Sequence, residues 1–348
     1  MEPTIQAVPT GRQEKLNNMK TVVISDFGGP EVLEIQDRPV PVAVADQVLV
    51  RVRASALNRA DLLQRRGRYP APPGSPQDIP GLEFAGEVAQ IGPDVSQWRV
   101  GQRVFGIVGG GAHAEFLLAH ERALAEIPEN LSWNEAAAVP EAFITVYDAL
   151  WLQAELKACE RVLIPAVGSG VGLAAVQLTR ARNATPYGTA RTQEKLLRAK
   201  ECGLDHGAVV TQASELPVQV ERWLGNDKAK FDVVLELVGG DYVATDIEVL
   251  GLKGRLILVG IMAGASVDLK LHSILSKRLK IIGTMLRARP LEEKIAVTQS
   301  FAKEVVPLFA AGVLKPVVDS VFPMHRVREA HERMESNANF GKIVIAME

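Results

Sequence analysis

Apolar and polar positions alternate over the first third of this chain and merge into continuous apolar runs further on. Gln47-Val48-Leu49-Val50-Arg51-Val52 alternates, and Phe84-Ala85-Gly86-Glu87-Val88-Ala89 follows a turn at Pro80-Gly81, the period of strands with one face on a core. From Lys20 to about Ala142, short runs of this kind, opened by Thr21-Val22-Val23-Ile24 and punctuated by Gly and Pro, predict a compact β-rich unit. Beyond Ala142 the order becomes apolar strand, glycine-rich turn and long helix: Arg161-Val162-Leu163-Ile164, then Gly168-Ser169-Gly170-Val171-Gly172, then Leu173 to Arg182. That is a βα unit. Further strands are predicted at Thr185 to Thr189, Phe231 to Leu237 and Arg255 to Val259, and their unbroken apolar character suits a parallel sheet covered on both faces. Val317 to Phe322 and Gly341 to Ile345, on either side of a helix at His325 to Met334, read as the chain crossing back to complete the first unit. The expected division is a discontinuous first domain, 19–142 with 310–348, around a doubly wound parallel-sheet domain, 143–309.

Composition agrees with two domains. The chain has 348 residues, 47% hydrophobic and 23% charged, and a domain takes about 150 residues. Lys plus Arg is 39 against 41 for Asp plus Glu, a net charge of −2, which excludes bulk attraction to nucleic acid or to an anionic membrane. The most apolar stretch, near Ala136, is interrupted by Pro140, Glu141 and Asp148, so no membrane-spanning helix is expected. Two cysteines, Cys159 and Cys202, are too few for a disulfide scaffold and fit a reducing, cytoplasmic location. Residues 1–18 lack an apolar signal core and read as a disordered leader; Met19 is then either an alternative start or the edge of the folded part.

The glycine turn is the first candidate for chemistry. A strand followed by close-set glycines and a helix rich in small residues brings backbone N–H groups and a helix N-terminus against a pyrophosphate, because no Cβ intervenes. The spacing Gly168, Gly170, Gly172 departs from G-x-G-x-x-G, and a tight structural turn with close helix packing is the alternative reading. The next strand ends Gly188-Thr189-Ala190-Arg191-Thr192-Gln193-Glu194-Lys195. No carboxylate stands at its tip to take a ribose 2′-hydroxyl, while Arg191 and Lys195 are within reach of an added phosphate. The pattern points to NADPH, against the alternative of a solvated helix start.

Several motifs together carry a resemblance. Ala56-Leu57-Asn58-Arg59-Ala60-Asp61-Leu62, Pro80-Gly81-Leu82-Glu83, Val139-Pro140-Glu141-Ala142, Ser169-Gly170-Val171-Gly172 and Ala175-Val176-Gln177-Leu178 resemble the zinc-independent quinone oxidoreductases of the medium-chain dehydrogenase/reductase superfamily, the zeta-crystallin branch among them. The likeness runs from Met19 to the C-terminus. It implies an α/β fold with a GroES-like β-barrel catalytic domain and a Rossmann domain, NADPH in the cleft between them, and a homodimer. The positions resembling the catalytic zinc ligands of related alcohol dehydrogenases hold Asn58, Leu82 and Glu141. Leucine offers no lone pair, and the other two do not make a three-ligand site. No metal is therefore expected.

Without a Lewis acid, the expected chemistry is hydride or single-electron delivery to an acceptor that is already electrophilic, a quinone. The alternatives are reduction of α,β-unsaturated carbonyl or enoyl substrates, and, from another class, an NADPH-binding structural protein with little turnover. By resemblance, Asn58 and Thr145 flank the nicotinamide, Ser169, Gly170, Val171 and Gly172 the pyrophosphate, and Thr189, Arg191, Thr192 and Lys195 the adenosine ribose and its phosphate. Asn339 and Lys342 resemble a C-terminal cofactor contact. Tyr69, before a proline-rich loop, is the acceptor-side candidate, able to stack on a ring or donate a proton; Glu141 completes the catalytic set with Asn58. Each has a plainer reading: Asn58 as a helix cap, Thr145 as a helix hydroxyl, Tyr69 as packing on proline, Glu141 as a buried structural carboxylate, Lys342 as a solvated side chain. The Arg65-Arg66-Gly67-Arg68 cluster reads as a solvated helix end. Pro165 stands where relatives often carry His, and no clear counterpart of a family tyrosine occurs around Val209 to Gln212.

Overall fold

A single long strand organises the first unit. In the computed structural model, which describes residues 18–225 and 230–347, β1 (Asn18–Ile24) and β2 (Leu33–Pro39) form a hairpin ahead of β3 (Gln47–Leu57). The expected leader lies outside the described residues except for Asn18, which is paired with Pro39. The strand β3 pairs β4 (Glu83–Ile91) along most of its length and β6 (Phe116–His120) along its first half. The sheet continues from β4 to β5 (Arg103–Ile107) and β7 (Leu124–Glu126). Eleven residues, five longer than the alternating hexamer predicts, allow β3 to serve all these partners. Its far half reaches the C-terminal strands.

The second sheet is wholly parallel. β8 (Arg161–Ile164), β9 (Thr185–Ala190), β10 (His206–Val209), β11 (Phe231–Glu236), β12 (Leu250–Leu258) and β13 (Lys280–Gly283) stand in the order β10-β9-β8-β11-β12-β13. This is a doubly wound Rossmann sheet, whose ligand crevice opens beyond the carboxyl ends of β8 and β11, where the winding reverses. Val162, Leu163, Val233, Val234 and Leu235 are fully buried in the two central strands, as their apolar runs require.

The chain then returns. β14 (Val318–Pro323) pairs β15 (Lys342–Ala346), and β15 pairs antiparallel with Ala54 to Leu57 of β3. The returning segment thus inserts into the first sheet, with a helix at Val327–Glu335 near the expected place. Gly341, at φ +93°, makes the crossing possible: its amide donates to the Gly168 carbonyl at 3.0 Å, and a Cβ there would lie 2.3 Å from the Val317 carbonyl oxygen.

Three expectations are corrected. The strand expected at Arg255 begins at Leu250, and it is interior, between β11 and β13, so β13 is the edge at that end of the sheet, as β10 is at the other. Arg65 is not solvated but completely buried: it donates to the Gly28 carbonyl at 3.0 Å and to His331 Nδ1 at 3.1 Å, and pairs with Glu335. A guanidinium has enough donors to tie a helix end, a loop and the C-terminal helix together. Lastly, the segment after Val139 is not a standard helix but two π-helical stretches, Pro140–Ile144 and Tyr147–Gln153.

Gly341→Ala is expected to lower unfolding stability by about 2 kcal/mol or more, from left-handed strain plus the clash with Val317. Urea titration reads this directly, and an unchanged midpoint would contradict it.

Candidate active site in the interdomain crevice

The site is built where the two sheets meet. The helix α1 (Arg59–Arg65) starts at Asn58, whose backbone N–H donates to Asp61 Oδ2 at 2.7 Å. Asp61 is buried and accepts also from the Gly81 amide at 2.9 Å, which draws the Pro80-Gly81-Leu82 turn onto the helix. Asn58 and Asp61 stand in a capping-box arrangement at this start, and the Asn58 carboxamide also reaches into the crevice. Its Nδ2 donates to Glu83 Oε1 at 2.9 Å, and its Oδ1 accepts from Lys342 Nζ at 2.6 Å.

Lys342 is the centre of this cluster. Only 6% exposed, it pairs with Glu83 at 2.6 Å and donates to the Leu57 carbonyl at 3.1 Å, so the solvated reading does not hold. Its stem crosses the glycine turn, since a Cβ on Gly170 would lie 2.4 Å from Lys342 Cδ. Glycine at 170 thus makes room for a side chain of the other unit. At Gly172 the reason differs: a Cβ would strike Val167 and the Ala166 carbonyl at 2.7–2.8 Å. Ala166 itself sits at φ +51°, a costly conformation for a residue with a Cβ, of the kind that concentrates at functional turns.

Ser169 caps the helix Gly170–Ala181, its Oγ accepting from the Gly172 amide at 3.0 Å. The first turn leaves the N–H groups of Gly170 and Val171 without intrahelical partners. A helix start with free N–H groups is chemically suited to an anion, and Lys342 lies against it. At the end of β9, Thr189 is buried and its carbonyl accepts from the Val167 amide at 2.9 Å. Thr192 caps the next helix, Gln193–Glu201, and Arg191 is exposed.

Lys195 differs from expectation. Its ammonium donates to the carbonyls of Asn337 and Asn339, both at 2.7 Å, which anchors the C-terminal loop, while the Asn339 amide donates to the Gly341 carbonyl at 2.9 Å. Arg59, on α1, bonds the Asn337 side chain. Burial lowers the pKa of both Lys195 and Arg59, and for both the next cause is the charge of Arg191. Three cations from two units therefore converge, repelling one another. Such a concentration of like charge favours the approach of an anion.

Glu141 and Thr145 come from the first π-helical stretch and its end; wide turns of this kind recur at functional sites. Thr145 is buried. The Glu141 amide donates to Glu83 Oε2 at 2.7 Å, but its own Oε2 is buried without a hydrogen-bond partner. Burial first, and then the neighbouring Glu83 charge, push the Glu141 carboxyl up to about 8, with Lys342 opposing. At neutral pH it holds its proton. Tyr69 is half-buried; burial raises its phenol, with Arg287 opposing.

Of the residues read from the sequence, Asn58, Lys342, Gly170 and Glu141 meet in one cluster, and Arg191, Lys195 and Asn339 in a second. Sequence reasoning missed Glu83, Arg59 and Arg287. Glu83 carried a signal, a carboxylate inside the apolar run Leu82-Glu83-Phe84. The three positions that resemble a zinc site hold a carboxamide already bonded to an ammonium, the buried Leu82, and a neutral carboxyl. Among the described residues no group of three or more His, Cys, Asp and Glu is placed to hold a metal ion.

Comparison with known proteins matches two family patterns, the alcohol dehydrogenase GroES-like domain over residues 44–129 and zinc-binding dehydrogenase over residues 204–345. The chain is 33% identical to quinone oxidoreductase of Lama guanicoe over 94% of its length and 98% of that protein. It is 32% identical to quinone oxidoreductase of Homo sapiens over the same shares. Among solved structures, CurK enoyl reductase superposes with a TM-score of 0.83 at 26% identity, covering 95% of this chain and 99% of that one.

The raised Glu141 pKa sets a pH dependence. Stability from the neutral carboxyl is fully present below about 4.5, its ordinary value, and is lost as pH rises through about 8. Glu141→Gln keeps the shape without the proton, so wild type loses stability relative to this variant between pH 5 and pH 9. Urea unfolding at both pH values would show it, and a constant difference would refute it.

Proposed function

The chain belongs to the quinone oxidoreductase family of the medium-chain dehydrogenase/reductase superfamily, and from that premise we propose that it is an NADPH-dependent, zinc-independent quinone reductase working in the crevice between its two sheets. The observation that carries this reading is the ammonium of Lys342 against Asn58 and Glu83. An ammonium already bonded to Asn58, one of the positions that resemble a zinc ligand, supports a site without a second cation beside it. The reaction then needs an acceptor that is electrophilic without a Lewis acid.

Bound NADPH supplies a hydride or single electrons. The chain's own residues bind and orient it. Gly170 and Val171 offer backbone N–H groups to a pyrophosphate, with Ser169 and Gly172 shaping the turn. The cations around Arg191 support a 2′-phosphate on the ribose, Arg191 as the exposed guanidinium, Arg59 and Lys195 as the positive field behind it, and Thr189 and Thr192 beside it. Asn58 and Thr145 face the nicotinamide end, and Asn339 holds the loop that delivers Lys342.

On the acceptor side, Tyr69 offers a ring to stack on and a hydroxyl that no other group holds, so a proton can pass from it to an acceptor oxygen as negative charge develops there. Neutral Glu141 adds no opposing charge. We further assign the GroES-like unit to 19–142 with 310–348 and the nucleotide unit to 143–309. A homodimer is supported by the free edge β13, flanked by the exposed Leu271, Leu275 and Met285, an apolar edge of the kind that a second copy covers. Unpaired Cys159 and Cys202 support a cytoplasmic location.

The likeness to CurK enoyl reductase favours one further reading, reduction of enones or enoyl groups. Mixing NADPH-loaded protein with ortho-quinones, para-quinones and enones in a stopped-flow instrument separates the two: fastest oxidation is expected with a quinone. If no acceptor exceeds the uncatalysed rate, both fail and a binding role takes their place. Arg191→Ala is expected to weaken NADPH affinity about tenfold or more, a charge-assisted contact to phosphate, and to leave NADH affinity unchanged. Equal effects on the two cofactors, by fluorescence titration, would remove the 2′-phosphate assignment.

A further inference from the structure

Arg287 is the one buried arginine that crosses from the nucleotide side to the acceptor side. It lies after β13, in a segment pinned on its far side by Arg289, which pairs bidentately with the buried Asp148 at 2.9 and 2.6 Å, and by Thr284, which donates to the same carboxylate. From that fixed base the Arg287 guanidinium, 3% exposed, donates to the Gly109 carbonyl at 2.8 Å, the Tyr69 carbonyl at 3.0 Å and Gln64 Oε1 at 2.5 Å. Its carbon atom is 4.9 Å from the centre of the Tyr69 ring.

The contact chain does not stop there. Gln64 Nε2 donates to the Gln77 carbonyl at 3.0 Å, and the Gln77 side chain donates to the carbonyls of Pro72 and Ser75 at 3.2 and 2.9 Å. One guanidinium therefore sets α1, the 68–78 loop and the 108–111 loop against one another. All three of its hydrogen-bond partners are neutral, and among the described residues no carboxylate lies within 4 Å of it. A buried cation with no carboxylate in direct contact is costly as stabilisation alone, and what it gains here is a fixed geometry for three segments.

We propose that Arg287 is the positioning residue of the acceptor site: it holds the Tyr69 ring and the 68–78 loop at the distance an aromatic or conjugated acceptor needs, and acts on the reaction only through them. The proposal rests on the quinone-reductase reading for its kinetic consequence and not for its structural one. Burial and the ionisable groups that face it, the Asp61 carboxylate first and then Tyr69 and Glu141, agree with this placement, as does Lys294, a half-buried cation on the helix Leu291–Glu304 that faces both Glu141 and Arg287.

The test uses the full chain with NADPH and two variants. Arg287→Lys keeps the charge and loses the planar fork; Gln77→Ala loosens the same loop from the exposed end without touching the core. Arg287→Lys is expected to raise KM for a quinone about tenfold or more, with kcat falling less and NADPH Kd unchanged within twofold. It should also speed amide hydrogen exchange over 68–78. Gln77→Ala should move KM and exchange in the same direction by a smaller factor, which decides the matter if the arginine variant does not fold. Unchanged KM and exchange in Arg287→Lys would overturn the proposal, and so would parallel losses of NADPH and quinone affinity, which mark a general packing role. If the wild type itself shows no turnover, the quinone reading fails, and the exchange data still decide whether Arg287 holds the loop.

Discussion

The buried ammonium of Lys342 is the constraint on which the arrangement depends. It satisfies the end of β3 through the Leu57 carbonyl, the start of α1 through Asn58 and the strand β4 through Glu83, while its stem lies against Gly170. Four elements from both units are thereby held to one point. Removing either charge of such a pair leaves the other buried and unpaired, at a cost of about 3–5 kcal/mol. Lys342 can reach this position only because Gly341 turns the chain through a left-handed conformation beneath Val317. The crossing of the C-terminal segment and the chemistry of the crevice are thus a single structural fact.

Charge is divided across the crevice with some economy. At the end of β9, the pKa values of Arg59 and Lys195 are both held down by burial and by the charge of Arg191, with Glu335 and Asp319 respectively opposing. Around Tyr69 and Glu141, burial raises both groups toward their neutral forms, while Arg287 faces Asp61 and Lys342 pairs with Glu83. A dry site of this kind strengthens every interaction with charge that develops in it.

The glycine turn shows how far pattern reading reaches. Gly168, Gly170 and Gly172 were legible as a turn that excludes Cβ atoms, and the strand before them and the helix after them follow from apolar periodicity. Why each glycine is needed was not legible. Gly170 yields to Lys342, 172 residues later in the chain, and Gly172 to the backbone of Val167. The Asn58 motif is similar: its sequence context suits a helix cap and it takes part in a capping box with Asp61, but nothing local shows that its carboxamide also meets the buried ammonium of Lys342. Arg65, in a run of basic residues that reads as surface, is buried because His331 and Glu335 come to it from the far end of the chain.

Local sequence by itself determined the apolar strands, the order of strand, turn and helix and the glycine turn, and it showed cationic residues following that turn. These depend on neighbours within a few residues, or on what a side chain is chemically able to do. Tertiary structure alone decided that Glu83 and Lys342 form one pair, that Glu141 keeps its proton, that Lys195 anchors a loop, and that Arg287 reaches Tyr69. Each of those is a matter of burial and of partners 58 to 259 positions away, 83 to 342 being the longest. No periodicity along the chain encodes which distant charge a buried group will meet.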